Sequence, residues 1–364
     1  MNRSHFSSRS AEDLVDALAR DLRLCRPSVH RDTVLTNGAN MNPAPIFEYF
    51  TAYQKTAAMQ AAVDIGLFSA IAKGSSTVST IAKACNASPK GVRVLCDYWT
   101  VQGLLRKSND TYALTPEAAT FLDRTSPAYL GGVMGFLNGP IKPFFEQLTD
   151  AVRRGGCEST GTVEVEYDGW IPFAEEMGAM MFPTAQAISK LLGKISGRVL
   201  DVAAGHGLFG IVLAQANPDI KVTALDWPRV LDVAKQHAAK MGVSDRYSTI
   251  AGDAFKVDLN GPYDLILLTN LLHHFSTEQC ITLLKRLRSA LRPGGQLVTL
   301  EFVPNEDRVS PPMSATFPLV MLATTERGDA YTFAELDRML RSAGFANNKL
   351  HQPENSPQQI IVSL

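Results

Sequence analysis

The chain has 364 residues, 45% of them hydrophobic and 20% charged, and a net charge of -1. That is room for two domains with real cores, and it gives no general attraction to nucleic acid or to anionic membranes. Five scattered cysteines without a C-x-x-C pair argue against a disulfide framework or a cysteine-held zinc, and no apolar run approaches the roughly 20 residues that would span a bilayer; a reducing, cytoplasmic setting is expected.

Residues 1–40 are polar and rich in serine and arginine, and they read as a tail. They carry one short amphipathic helix candidate, with Leu14, Leu18 and Leu22 at four-residue spacing. Acids at Glu12, Asp13 and Asp16, and the lack of an apolar stretch, argue against a targeting leader. Residues 41–125 form the first domain. The spacing predicts a long helix over "IFEYFTAYQKTAAMQAAVDIGLF" up to Gly66, then helices in "STVSTIAKACNAS" and "SPKGVRVLCDYWTVQGLL", each opened by a Ser or Thr cap. "LLRKSNDTYALT" reads as a hairpin turning at Asn109 and Asp110. That outline is a winged helix, yet its candidate recognition helix holds only Lys90 and Arg93 as cations among Val92, Val94, Leu95, Tyr98, Trp99 and Val101. A DNA reader needs several phosphate-neutralising charges, so packing or dimerisation is expected and nucleic-acid binding is not.

Residues 126–196 are predicted helical, with soft, large side chains clustered at Trp170, Phe173, Met177, Met180, Met181 and Phe182, a composition suited to a pocket for a flat apolar ligand. From 197 to 364 strands and helices alternate. "RVLDVA", "KVTALD", "YSTIAG", "YDLILLTN" and "GQLVTLEFV" are predicted strands; helices are predicted near 208–216, 230–241, 277–291 and 332–343, and two further strands close the chain. This is an α/β fold with a doubly wound sheet, whose ligands bind at the carboxyl ends of the strands.

"VLDVAAGHGLFG" joins the first of these strands to its helix, with Gly205, Gly207 and Gly210 in G-x-G-x-x-G spacing. About 20 residues on, "ALDW" ends the second strand at Asp226, placed to accept hydrogen bonds from two ribose hydroxyls. Asp201, immediately before the loop, would oppose a pyrophosphate but suits a sulfonium or ammonium. In "AGDAF", Asp253 can reach an adenine amine and Phe255 can cover its ring. Together these favour S-adenosylmethionine over a nicotinamide dinucleotide. His206, inside the loop, either meets this cofactor or faces solvent.

In order along the chain, "LDVAAGHG…ALDW…GDAF…LLTNLLHHFSTEQC…LRPGGQLVTLEFVPNED…TTERGDAYTFAELDRMLRSAGF" resembles the S-adenosylmethionine-dependent O-methyltransferases of the caffeate, hydroxyindole and bacterial polyketide-tailoring type. The resemblance runs from about residue 44 to 364. It implies the class I methyltransferase sheet of seven strands with the last antiparallel, preceded by an α-helical winged-helix dimerisation domain, hence a homodimer. It implies a metal-free mechanism, and donor contacts at Asp201, Ala203, Gly205, Gly207, Asp226, Trp227, Gly252, Asp253, Ala254, Phe255 and Asn270. Two departures stand out. Ala203 replaces a frequent glycine, which is tolerable if φ stays negative there. The usual H-D-W reads His273, His274, Phe275.

Two adjacent histidines leaving a strand point opposite ways, so at most one is expected in any given pocket. Matched to the family motif, His273 is the catalytic base, oriented by Glu301 from the next strand and bordered by Glu326, while His274 takes the aspartate position. A neutral imidazole is the right group to remove a phenolic proton as the oxygen attacks. The acceptor, an aromatic small molecule with a hydroxyl, is expected against Trp170, Phe173, Met177, Met180, Asn270, Met313, Phe317 and Met321. Rival readings are a C- or N-methyltransferase, or a non-methylating relative, on the same scaffold, and a winged-helix DNA-binding regulator.

Overall fold

The computed structural model describes residues 42–354 and 356–364; the helix candidate around Leu14 lies outside them. They form two compact units, one ending at Gly135 and the other running from Phe136 to Leu364.

The first unit opens with two helices, Ala44–Phe50 and Ala52–Asp64, where the sequence suggested one. The break falls at Thr51, whose backbone leaves helical values and whose hydroxyl donates to the Phe47 carbonyl. Helices Leu67–Ala72, Val78–Ala84 and Pro89–Val101 follow, the last two capped by Thr77 and Ser88 as expected. Strands β1 (Leu105–Ser108) and β2 (Thr111–Leu114) make the antiparallel hairpin. Leu67, Phe68, Ile81, Val92, Cys96, Trp99 and Tyr112 form the core. Arg93 on the candidate recognition helix is paired with Asp97 at 3.1 Å, so one of that helix's two cations is already neutralised. The first two helices present Ile46, Phe47, Tyr49, Phe50 and Tyr53 outward, all more than half exposed.

The second unit begins with short helices, including Lys142–Glu146, Leu148–Arg154 and Trp170–Glu176, and the longer Gly178–Leu192. Its sheet comprises β3 (Gly197–Val202), β4 (Ile220–Asp226), β5 (Tyr247–Ala251), β6 (Tyr263–Thr269), β7 (Leu291–Glu301), β8 (Asn348–His351) and β9 (Gln359–Ser363). The spatial order is β5-β4-β3-β6-β7-β9-β8, parallel throughout except that β9 runs antiparallel to both neighbours. β6 is apolar and almost wholly buried because helices cover both faces. On one face helices Thr277–Ala290 and Phe333–Ser342 pack a leucine-rich cluster against Leu200, Ile266 and Leu268. On the other lies Leu208–Ala216, buried from Leu208 to Ala214.

The order reverses at β3, between the β4 and β6 branches, so the carboxyl ends of β3, β4, β6 and β7 converge on one crevice. Among the described residues, no helix is long and apolar enough to cross a membrane.

Candidate active site

At the tip of β3 the chain turns through Ala203, Gly205 and Gly207, all with positive φ (+52°, +56° and +74°). The condition named for tolerating an alanine at 203, a negative φ, is not met: the turn takes a left-handed residue there, and the alanine adopts it. Gly207 is required by contact as well, since a Cβ on it would come within 2.5 Å of the Tyr247 hydroxyl.

Asp226, at the end of β4, is half-buried and accepts from the Gly205 N–H (2.8 Å, Oδ2) and the Trp227 N–H (2.7 Å, Oδ1). Burial raises its carboxyl to about 6, against the opposing pull of those two amides. Asp201 lies deeper. It is fully buried beneath helix Leu208–Ala216, its Oδ2 accepts from the Gly210 N–H at 3.0 Å, and its Oδ1 has no partner. Burial pushes it up to about 8. It thus offers no exposed surface to a ligand and acts on the loop from below.

At the end of β5, Gly252 donates its N–H to the Asp226 carbonyl, tying the second and third turns together. Asp253 caps that turn by accepting from the Phe255 N–H at 2.8 Å and pairs with Lys256 at 3.1 Å. Phe255 meets Phe275 edge to face, and the Ala254 carbonyl accepts from Arg286 Nε. Asn270, at φ +57°, receives a hydrogen bond on Oδ1 from the Gln358 side chain.

His206 is buried, not solvent-facing. Its Nδ1 accepts from the Leu208 N–H at 3.1 Å, which puts its ring proton on Nε2, and burial lowers it to about 3.

The two histidines occupy a 3₁₀ turn, Leu272–His274, instead of a continuing strand, so strand alternation does not separate them. Both are buried, with ring centroids 4.4 Å apart. His273 Nδ1 is 2.5 Å from Glu301 Oε2. The other Glu301 oxygen accepts from the Leu271 and Leu272 N–H groups at 3.1 and 2.8 Å, which fixes the carboxylate on the turn that carries the imidazole. Phe317 stands edge-on to the His273 ring at 4.9 Å and stacks on Phe302 at 4.0 Å. His274 faces Thr162, 3.4 Å from Nδ1 to Oγ1, and the edge of Trp170. Burial, with His273 alongside, holds its imidazole well below the usual histidine value.

The remaining sequence-predicted residues divide. Met177 and Met321 are buried, Trp170, Phe173 and Phe317 are half-buried, and Met180 and Met313 are exposed at 44% and 59%. Glu326 is exposed and pairs with Arg327 at 3.3 Å; the structure brings it beside His274, in the wall of a cavity of about 410 Å³, and not into contact with His273. Two residues the sequence did not single out, Thr162 and Gln358, are buried partners of His274 and Asn270; no motif marks either one. Among the described residues no three side chains of His, Cys, Asp or Glu are grouped to hold a metal ion.

A sequence model of the O-methyltransferase domain matches residues 173–346, and one of the O-methyltransferase dimerisation domain matches residues 47–124. A crystal structure from Nostoc punctiforme, described as an O-methyltransferase, is 45% identical, covers 89% of this chain and 99% of its own, and superposes with a TM-score of 0.86. This chain belongs to the O-methyltransferase family. The methyl donor of that family is S-adenosylmethionine. Curated relatives include TcmO, the tetracenomycin polyketide synthesis 8-O-methyl transferase of Streptomyces glaucescens, 28% identical over 84% of this chain and 92% of the relative. Acetylserotonin O-methyltransferase of Mus musculus is 29% identical over 79% of each. The human N-acetylserotonin methyltransferase structure in complex with S-adenosylmethionine, at 22% identity and a TM-score of 0.78 over 90% of this chain and 99% of its own, shares the fold.

Proposed function

We propose that this O-methyltransferase methylates a hydroxyl on an aromatic small molecule, with His273 as general base, and that it works as a homodimer through its first unit. The observation that carries the reading is the His273–Glu301 pair at the joined tips of β6 and β7. A carboxylate at Nδ1 keeps the proton there and turns Nε2, as a lone pair, toward the acceptor side. The residues around the loop fit the donor: Asp226 can exchange its amide partners for ribose hydroxyls, and Asp253 would meet the adenine end. When bound, S-adenosylmethionine supplies an electrophilic methyl on a sulfonium.

The protein's own task is then to place the acceptor and take its proton. A phenol, with a pKa near 10, is mostly un-ionised at neutral pH, so the attacking oxygen needs a base in reach. His273 Nε2 accepts that proton, and Glu301, already bound to Nδ1, stabilises the imidazolium that results. Phe317, edge-on to the His273 ring, offers an apolar face for a flat ring. An aromatic acceptor also matches the relatives, one of which is a 3-hydroxy-5-methyl-1-naphthoate 3-O-methyltransferase of Streptomyces sahachiroi.

Incubation with methyl-labelled donor and a panel of phenols, naphthols, enols and amines tests the reading. Label is expected on oxygen. His273→Ala should lower turnover roughly 100-fold, the scale of a lost general base, with donor affinity nearly unchanged. Label on carbon or nitrogen, or turnover lost in His274→Ala but kept in His273→Ala, would overturn it.

A further inference from the structure

His274 stands where the family resemblance places an aspartate, and its surroundings show what the imidazole does there. The Thr162 hydroxyl has one proton and donates it to the Thr324 carbonyl at 3.2 Å. Both contacts are hydrogen bonds at once only in the tautomer with the hydrogen on Nδ1 of His274, which then donates to the hydroxyl. An ionised aspartate in this position has no proton to offer, so it and the Thr324 carbonyl would compete for the one hydroxyl proton.

Thr162 is also the anchor of the neighbouring helix, because its carbonyl accepts from the Trp170 indole N–H at 2.9 Å. Trp170 in turn meets His274 edge to face at 5.3 Å and Phe173 at 5.4 Å. Phe173 lies over the His206 ring, nearly parallel, with centroids 6.5 Å apart. A line of rings thus runs from the tip of β6 to the donor loop after β3, and helix Trp170–Glu176 lies along it. The turn holding Thr162 is pressed onto the backbone beyond Met321: a Cβ on Gly161 would come within 2.1 Å of the Thr324 carbonyl, and one on Gly156 within 2.1 Å of the Glu326 carbonyl. Among the described residues, the hydrogen bond between Thr162 and His274 joins this turn directly to the segment that bears His273.

We propose that His274 is a positioning residue, which through Thr162 seats helix Trp170–Glu176 across the tips of β3 and β6 and so shapes the acceptor site without taking part in proton transfer. Burial, which keeps the imidazole neutral, supports this role. The inference rests on the methyltransferase reading above.

Three variants separate the ring from its N–H. His274→Phe keeps an edge for Trp170 but has no donor, His274→Asp restores the family residue, and His274→Asn returns an N–H. Amide hydrogen exchange of residues 161–176 is measured on the full chain without ligands, alongside acceptor KM and the single-turnover rate at saturating acceptor. Loss of one buried hydrogen bond is expected to speed exchange of that segment by about tenfold in the Phe and Asp variants. Acceptor KM should rise with it, while the single-turnover rate stays near that of the parent and Asn recovers both. Unchanged exchange in His274→Phe, or an Asn variant no better than Phe, overturns the proposal. If His274→Phe does not fold, Thr162→Val removes the bond from its other end and must loosen the same segment; tight exchange there overturns it equally. The exchange readout does not depend on turnover, so a failure of His273 as base would show separately, as unimpaired transfer in His273→Ala.

Discussion

Ala203 illustrates how a single side chain can sit against the grain of its backbone. At φ +52° its Cβ crowds the following carbonyl, which costs an L-residue roughly 1–2 kcal/mol. Ala203→Gly should remove that strain, partly offset by the larger unfolded-state freedom of glycine, for a net gain of about 1 kcal/mol. A rise of about 2–4 °C in the thermal midpoint of this unit would register it. Asp226 makes a second residue-scale prediction. Its folded value, about 6, lies above the ordinary unfolded value of about 3.9. Between the two the native state binds more protons than the unfolded one, so its contribution to stability falls as pH rises through that window. Donor binding runs the other way, since accepting from two hydroxyls favours the ionised carboxylate. Affinity for S-adenosylhomocysteine should therefore weaken as pH drops below about 6. Asp226→Asn should bind weakly and lose that pH dependence, which calorimetric titration across the range checks.

Elements here are held by close backbone approach as much as by apolar burial. The turn Gly161–Val163 is narrow because residue 161 must pass against the Thr324 carbonyl, and it also has φ +61°. Gly161→Ala meets both obstacles; overpacking of this kind typically costs about 1–3 kcal/mol. It should appear as a lowered unfolding midpoint in denaturant with local loosening near Trp170. None of this was legible in "STGTVEVEYDG", where Val163, Val165 and Tyr167 alternate with Glu164 and Glu166 at the period of a strand, yet the segment forms a 3₁₀ turn and loop. The strands and helices from 197 onward were legible, because buried parallel strands are continuous apolar runs and the Ser276 and Thr332 caps mark helix starts. The strand-end positions of Asp226 and Glu301 were legible for the same reason. The roles expected of His273 and Glu301 came from the family resemblance, and His273 lies past the end of β6 in a 3₁₀ turn. Glu326 shows the limit. Its position in the chain matched a family carboxylate, but which way a loop side chain turns depends on neighbours such as Arg327, Gly156 and Gly161, which no local pattern announces.

For the molecule as a whole, the outward aromatic face on helices Ala44–Phe50 and Ala52–Asp64 is the feature that predicts assembly. Side chains such as Phe47, Tyr49 and Phe50 are too large and too clustered to be ordinary surface. Phe47→Asp with Phe50→Asp should shift the protein from dimer to monomer in sedimentation velocity, with the fold of the second unit retained by circular dichroism. The sheet of that second unit has a different history written into it. β9, emerging from the ribosome after every other strand of the sheet, is inserted between β7 and β8. Glu301 sits opposite Gln359 at the end of that pairing, so the far edge of β7, away from the turn that holds His273, is closed by the last strand of the sheet.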